Sequence, residues 1–182
     1  MKILAISGSL RDGSASTALA RALAALAPPG TEVAIFAGLA EIPPFDPDDD
    51  REGDVPPPAV ARLRAALGAA DAVVICTPEY AFGVPGVLKN ALDWTVASGD
   101  FANKPTAAIS SSPSDLGGDK AYASLQLTLR AMQSRLVSGG GLMVPLVRKK
   151  LDAAGRLTDP ATIAAVRAML TELARIVARL GG

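Results

Sequence analysis

Histidine is absent from the 182 residues of this chain. Its absence removes imidazole general acid/base catalysis, the Ser-His-Asp triad and His-ligated metal in one step. Cysteine occurs once, at Cys76, so neither an intramolecular disulfide nor a cysteine zinc site can form. Aromatic residues are scarce, with 4 Phe, 2 Tyr and 1 Trp, so any two that stand close together carry information. Neither sign of charge dominates: 18 Lys+Arg balance 18 Asp+Glu. That balance excludes a general basic surface for nucleic acid and gives no argument for a membrane surface. A long hydrophobic run is also missing. The apolar opening Met1–Ile6 is ended by Ser7, Gly8, Ser9, Arg11 and Asp12, too soon for a secretory h-region or a membrane span. The expectation is a cytoplasmic protein.

What is present is apolar surface: the hydrophobic fraction is 49% and the mean hydropathy +0.30. A chain of this length with that fraction buries one sizeable core, so residues 1–182 are expected to form a single domain. Lys2–Ser7, Thr31–Phe36, Ala72–Thr77, Pro105–Ser110 and Gly141–Pro145 read as short continuous apolar runs. Such runs suit strands covered on both faces, as in a parallel sheet. Between them lie helical stripes: Leu19, Leu23 and Leu26; Val60, Leu63 and Leu67; Tyr122, Leu125, Leu129, Met132 and Leu136; Ile163 through Leu180. A shorter helix is expected from about Gly86 to Thr95. Five alternations of strand and helix are the signature of a doubly wound α/β sheet. Gly38–Pro58, rich in proline and carrying Asp46, Asp48, Asp49 and Asp50, reads as a long surface loop, and loops of that length are usually functional or mobile. This loop, or a partner subunit, is expected to shape a substrate pocket.

In a doubly wound sheet ligands sit beyond the carboxyl ends of the strands. The loop after the first strand runs Ser7-Gly8-Ser9-Leu10-Arg11-Asp12-Gly13-Ser14-Ala15-Ser16-Thr17. It opens a helix, so its free amides carry partial positive charge; its hydroxyls add donors and Arg11 a guanidinium. These features suit a phosphate, although a plain helix cap would use the same residue types. The lysine of a P-loop is missing, and Gly8 and Gly13 do not make the dinucleotide fingerprint. What remains is a hydroxyl-rich monophosphate loop. The loop after the third strand, Thr77-Pro78-Glu79-Tyr80-Ala81-Phe82-Gly83-Val84-Pro85-Gly86, is stiffened by proline and carries two of the seven aromatics. Tyr80 and Phe82 suit the wall of a planar-ring site, or else pack beneath their loop.

GSLRDGS near the start and TPEYAFGVPGVLKNALDW after the third strand together resemble the NADPH-dependent FMN reductase family, which includes quinone, chromate and azo-dye reductases. Ser111–Gly118 looks like that family's third flavin-contacting segment, and Ile42–Asp50 resembles its loop after strand two. The resemblance runs from Met1 to about Leu146. It implies a flavodoxin-like three-layer α/β/α fold with a five-stranded parallel sheet in the order 2-1-3-4-5. It implies FMN and NADPH as cofactors, with hydride passing from NADPH to FMN and on to a small-molecule electron acceptor such as a quinone, flavin, chromate or azo compound. By the same resemblance Ser9, Arg11, Ser14, Ser16 and Thr17 would hold the FMN phosphate. Pro78, Glu79, Tyr80, Ala81 and Phe82 would line the flavin, and Ser112 and Gly117 would border its other edge. The family commonly has Asn where Ser16 and Ala81 stand. A chemistry borrowed from a cofactor agrees with the lack of reactive side chains, and no catalytic acid is named.

The remaining signals are weaker. Arg148, Lys149 and Lys150 read as a solvated turn. Cys76 reads as a small buried hydrophobe. Asp48–Asp50 with Glu52 read as loop solubility rather than a cation site. The helix holding Leu88, Leu92 and Trp94 resembles the family's dimer contact, implying a homodimer or homotetramer, while from the residues alone Trp94 belongs to the monomer core. A non-enzymatic electron carrier or an FMN-binding module on the same fold is the competing reading, and carriers of that kind tend to be strongly acidic. A phosphoacceptor receiver domain would need paired acids where Ser7, Gly8 and Ser9 stand.

Overall fold

A computed structural model describes residues 1–180 of the chain. Five parallel strands, β1 (Lys2–Ser7), β2 (Glu32–Phe36), β3 (Ala72–Pro78), β4 (Pro105–Ser111) and β5 (Arg135–Val144), form one sheet in the order β2-β1-β3-β4-β5. Helices α1 (Ala15–Leu26), α2 (Pro58–Gly68), α3 (Gly86–Asp93), α4 (Asp119–Ala131) and α5 (Pro160–Leu180) cover its two faces. The parity of the strands divides the core. Ile3, Ala5, Val74, Cys76, Ala107 and Ile109 pack with Leu19 and Leu23 of α1 and Leu170 and Leu173 of α5. Leu4, Ile6, Val73, Ile75 and Ala108 pack with α2, α3 and α4 through Leu63, Leu88, Leu92 and Leu125. Both parities are buried, which is why the central strands read as unbroken apolar runs. The flavodoxin-like three-layer architecture and strand order are those implied above.

Two boundaries differ from the sequence expectation. The α4 stripe stops at Ala131, not Leu136, and β5 starts at Arg135, well before Gly141. The chain reverses through Gln133, held at φ 57°. Leu136 nonetheless packs against the same core cluster as Leu125 and Leu129, from the strand instead of the helix. Its spacing matched a helical stripe because it fills the same core from another element. The register of β5 on β4 shifts between Thr106 and Ala108. Gly141 lies under the Tyr122 ring, where an added Cβ would fall 1.5 Å from Oη, so only glycine fits this close approach.

The long loop is anchored rather than loose. It holds two single turns of tight helix, Leu39–Glu41 and Pro47–Asp49, and buries Leu39 and Ile42 in the core. Asn90 accepts the Phe45 amide at 2.7 Å and donates to the Pro43 carbonyl at 2.8 Å, which also accepts from Trp94 Nε1 at 2.9 Å. Phe45 meets Trp94 edge-on at 5.2 Å. Arg64 donates to Asp50 at 2.7 Å and to the Trp94 carbonyl through Nε at 3.1 Å. The acidic residues therefore turn inward as well as outward: Asp48 meets Arg51 at 2.9 Å, and Asp50 is buried under Arg64. Leu88, Leu92 and Trp94 are at most 2% exposed. They belong to the monomer core, so the expected dimer contact cannot be made by these three side chains.

Candidate active site

The carboxyl ends of β1, β3 and β4 open into a cleft of about 300 Å³. Ser9, Arg11, Ser14 and Ser16 form one wall, Pro78, Glu79 and Tyr80 a second, and Ser111, Pro113, Val147, Arg148 and Leu151 a third. The first wall follows from local chemistry. Ser14 is the N-cap of α1, its hydroxyl accepting the Thr17 amide at 3.1 Å. Gly8 reaches back to the Cys76 carbonyl at 2.8 Å, and a Cβ there would meet Leu88 at 2.9 Å. The amides of Ala15 and Ser16, in the first turn of α1, have no intrahelical acceptor. The Ser16 side chain is fully buried, and its hydroxyl has no hydrogen-bond partner. A buried hydroxyl left this way costs about 1–3 kcal/mol, so it favours any acceptor that enters the loop. The loop thus offers amides, hydroxyls and the Arg11 guanidinium to an anion.

Thr17, placed by sequence among the phosphate ligands, is already engaged inside the protein. Its hydroxyl lies 2.8 Å from that of Ser14 and 2.9 Å from that of Ser7, and it does not line the cleft.

The second wall ends in a tight turn. Tyr80 and Gly83 exchange both backbone hydrogen bonds at 3.0 Å, and the two residues between them, Ala81 and Phe82, take φ 48° and 60°. This is the twist of a type I′ turn, usually filled by Asn and Gly. Tyr80 is 54% exposed and Phe82 78%. The rings therefore do not pack beneath the loop. They stand out at the rim, free to meet a flat ligand, although Ala81 and Phe82 themselves lie outside the cleft lining. Glu79 faces two ways. The residue lines the cleft, while its carboxylate accepts the amides of Lys120 at 2.9 Å and Ala121 at 3.0 Å, capping α4.

Ser112 and Gly117 shape the third wall from behind. The Ser112 hydroxyl lies 2.7 Å from that of Ser114, whose amide it accepts at 3.0 Å. Gly117 sits at φ 65°, its carbonyl accepting Ser110 Oγ at 2.8 Å. A Cβ on it would press the β5 backbone at 3.0 Å. Neither lines the cleft, whereas their neighbour Ser111 does, with a second buried and unpartnered hydroxyl. Ser111 falls within the expected third segment without a role of its own, whereas Val147, Arg148 and Leu151 were not assigned to the site. Strand parity is the signal that finds Ser111, because it shares the face of Ala107 and Ile109 towards α1 and α5. No residue of the Gly38–Pro58 loop lines the cleft. Cys76 lies buried below it, where burial pushes the thiol up to about 12, so it is no nucleophile at neutral pH.

Residues 1–149 match the NADPH-dependent FMN reductase family. The chain belongs to that family. It is 35% identical to an NAD(P)H-dependent FMN reductase of Pseudomonas aeruginosa, over 100% of this chain and 98% of that protein. It is 32% identical to a quinone reductase of Escherichia coli K12, over 99% and 97%. The flavoenzyme NAD(P)H:(acceptor) oxidoreductase FerB of Paracoccus denitrificans superposes with a TM-score of 0.85 at 26% identity, covering 98% of this chain and 97% of that one. The cleft fits the cofactor this family takes. An orphaned Ser16 hydroxyl, free first-turn amides and a nearby guanidinium form a donor set for a monophosphate. The chain is an FMN-dependent NAD(P)H oxidoreductase. Among the described residues no group of acidic or cysteine side chains is placed to hold a metal ion, and no helix is long and apolar enough to cross a membrane.

Proposed function

We propose that Ser9, Arg11, Ser14 and Ser16 hold the FMN phosphate, and that Pro78, Glu79 and Tyr80 present the flavin at the sheet's rim to NADPH and then to a small quinone-like acceptor. The observation that carries this reading is the buried, unpartnered Ser16 hydroxyl at the start of α1, in a wall shared with Arg11. Bound FMN supplies the redox chemistry, accepting a hydride from NAD(P)H and giving up its electrons to the acceptor.

The chain's own residues bind and orient. Ser14 fixes the first turn of α1, and with it the direction of the free amides. Pro78 and the Tyr80–Gly83 turn hold the rim backbone rigid, and the exposed Tyr80 and Phe82 rings offer flat apolar surface on which planar substrates can stack. Backbone amides of this rim would stabilise negative charge on a reduced ring. No side chain is needed as a proton donor, consistent with a chain that has no histidine.

The same rim favours self-association. Leu10, Tyr80, Phe82, Leu116 and Met143, all more than half exposed, stand on the loops or strand ends around the carboxyl edge of the sheet. We propose a homodimer or homotetramer that covers this apolar rim, in place of the buried α3 residues, and a cytoplasmic protein that needs no nucleic-acid partner. Light scattering after size exclusion tests the assembly.

The absorbance spectrum of the purified protein, followed by NADPH titration without oxygen, tests the cofactor assignment. A flavin spectrum bleached by NADPH, and steady NADPH oxidation with a quinone and no added reductase, are the expected results. A colourless protein that takes up no FMN would overturn it. Bleaching without steady turnover would point to an electron carrier.

A further inference from the structure

The basic run after β5 reads from sequence as a solvated turn, but its three side chains do different things. Lys150 is bound to the α5 start, at 3.7 Å from Asp159 and 3.2 Å from Thr162 Oγ1. Lys149 faces solvent. Arg148 lines the cleft together with Ser9, Arg11, Ser14 and Ser16. The backbone that carries it is fixed on the cleft side. Leu146 turns through φ 50°, its amide bonding to the Ser114 carbonyl at 2.8 Å, and the Val147 amide bonds to the Ser112 carbonyl at 3.1 Å. Val147 is buried in the α1/α5 half of the core, so Arg148 emerges beside the first turn of α1.

The charges of the cleft are unbalanced. Arg11 and Arg148 are its two guanidiniums, and neither has an ion-pair or side-chain hydrogen-bond partner among the described residues. Glu79 is its one carboxylate, and that group is committed to the amides of Lys120 and Ala121. Two unpaired guanidiniums beside a helix start suit a doubly charged phosphate monoester better than any neutral ligand. The unpartnered Ser16 hydroxyl marks where the acceptor oxygens belong.

We propose that Arg148 is a second guanidinium for the FMN phosphate, supplied from the β5–α5 connection instead of the loop after β1, and that it sets this chain's preference for FMN over riboflavin. The proposal rests on the FMN reading above and adds a phosphate-specific residue to it. The side chain is exposed, so its removal leaves the fold intact.

The experiment is flavin fluorescence quenching with apoprotein of wild type, Arg148→Ala and Arg148→Lys, using FMN and riboflavin as probes at low and high salt. Arg148→Ala should raise the Kd for FMN about tenfold and leave that for riboflavin unchanged. Arg148→Lys should recover part of the loss, and wild-type FMN binding should be the more salt-sensitive. An unchanged FMN Kd overturns the proposal. So does an equal rise for FMN and riboflavin, which would make Arg148 a structural residue. An unchanged FMN Kd with a raised KM for NADPH and not NADH also overturns it, by assigning Arg148 to the 2′-phosphate of the nicotinamide cofactor. If wild-type apoprotein takes up neither flavin, the FMN reading itself fails, and that outcome is separate from the others.

Discussion

The Ser14 and Thr17 hydroxyls lie 2.8 Å apart, while Ser16 between them has a buried hydroxyl with no partner. Three neighbouring hydroxyls therefore have different tasks. Thr17→Val should destabilise the protein by about 1 kcal/mol through the lost internal bonds, with little change in flavin affinity. Ser16→Ala should leave apoprotein stability unchanged or slightly raised, because it deletes an unsatisfied group, and should weaken FMN binding about tenfold, or about 1.4 kcal/mol. Urea denaturation and flavin titration on the same samples separate the two. If Ser16→Ala destabilised the apoprotein while FMN bound normally, the hydroxyl would be structural.

Arg11→Ala combined with Ser9→Ala removes a charge-assisted donor and a hydroxyl from the first wall of the cleft. FMN affinity should fall by at least an order of magnitude, since each charge-assisted bond contributes about 1.5–3 kcal/mol. Flavin retention through gel filtration at wild-type level would reject the phosphate assignment.

The rim turn is strained in a way that can be relieved. Ala81 at φ 48° occupies a region that costs an L-residue about 1–2 kcal/mol and that asparagine tolerates better. Ala81→Asn should raise the melting temperature, consistent with a gain of about 0.5–1 kcal/mol. Tyr80→Ala, by contrast, removes a half-exposed ring and should reduce turnover while thermal unfolding stays near wild type. A large fall in melting temperature with normal kinetics would return Tyr80 to a packing role.

Arg64 fastens the acidic loop through Asp50, the Trp94 carbonyl and, at 3.9 Å, Asp100. The Arg64 and Asp50 side chains are only 18% and 8% exposed. Arg64→Ala would leave Asp50 charged and buried, with an expected loss of about 3 kcal/mol in urea denaturation. Limited proteolysis should then cut within residues 38–58 faster than in wild type. Equal cleavage rates would mean that Asn90 and Trp94 hold the loop unaided.

Acid stability follows from Asp159, whose carboxylate accepts the Thr162 hydroxyl at 2.6 Å and its amide at 2.8 Å at the start of α5. These bonds, aided by Lys150, hold its pKa below the usual 3.8. A depressed carboxyl stabilises the fold above its unfolded pKa and loses that contribution as pH falls through the folded value. Wild type and Asp159→Ala should therefore differ in melting temperature at neutral pH and converge below pH 3.8. A difference that persisted in full at lower pH would place the effect outside this carboxylate.

Much of this molecule was legible as a string. The apolar runs and helical stripes gave the sheet and its layers because both strand parities are covered and each helix buries one face. The loop after β1 read as a phosphate site because amides, hydroxyls and Arg11 are contiguous in sequence. What sequence could not decide depends on the meeting of distant segments. Ser111 and Arg148 join Ser16 only because β4 and the β5–α5 connection fold onto the side of the sheet that α1 covers. Leu136 fits a helical period yet lies in a strand, because a core accepts an apolar side chain from either element. Periodicity reports which residues are buried; the direction of a hydroxyl or a guanidinium is set by the packing around it.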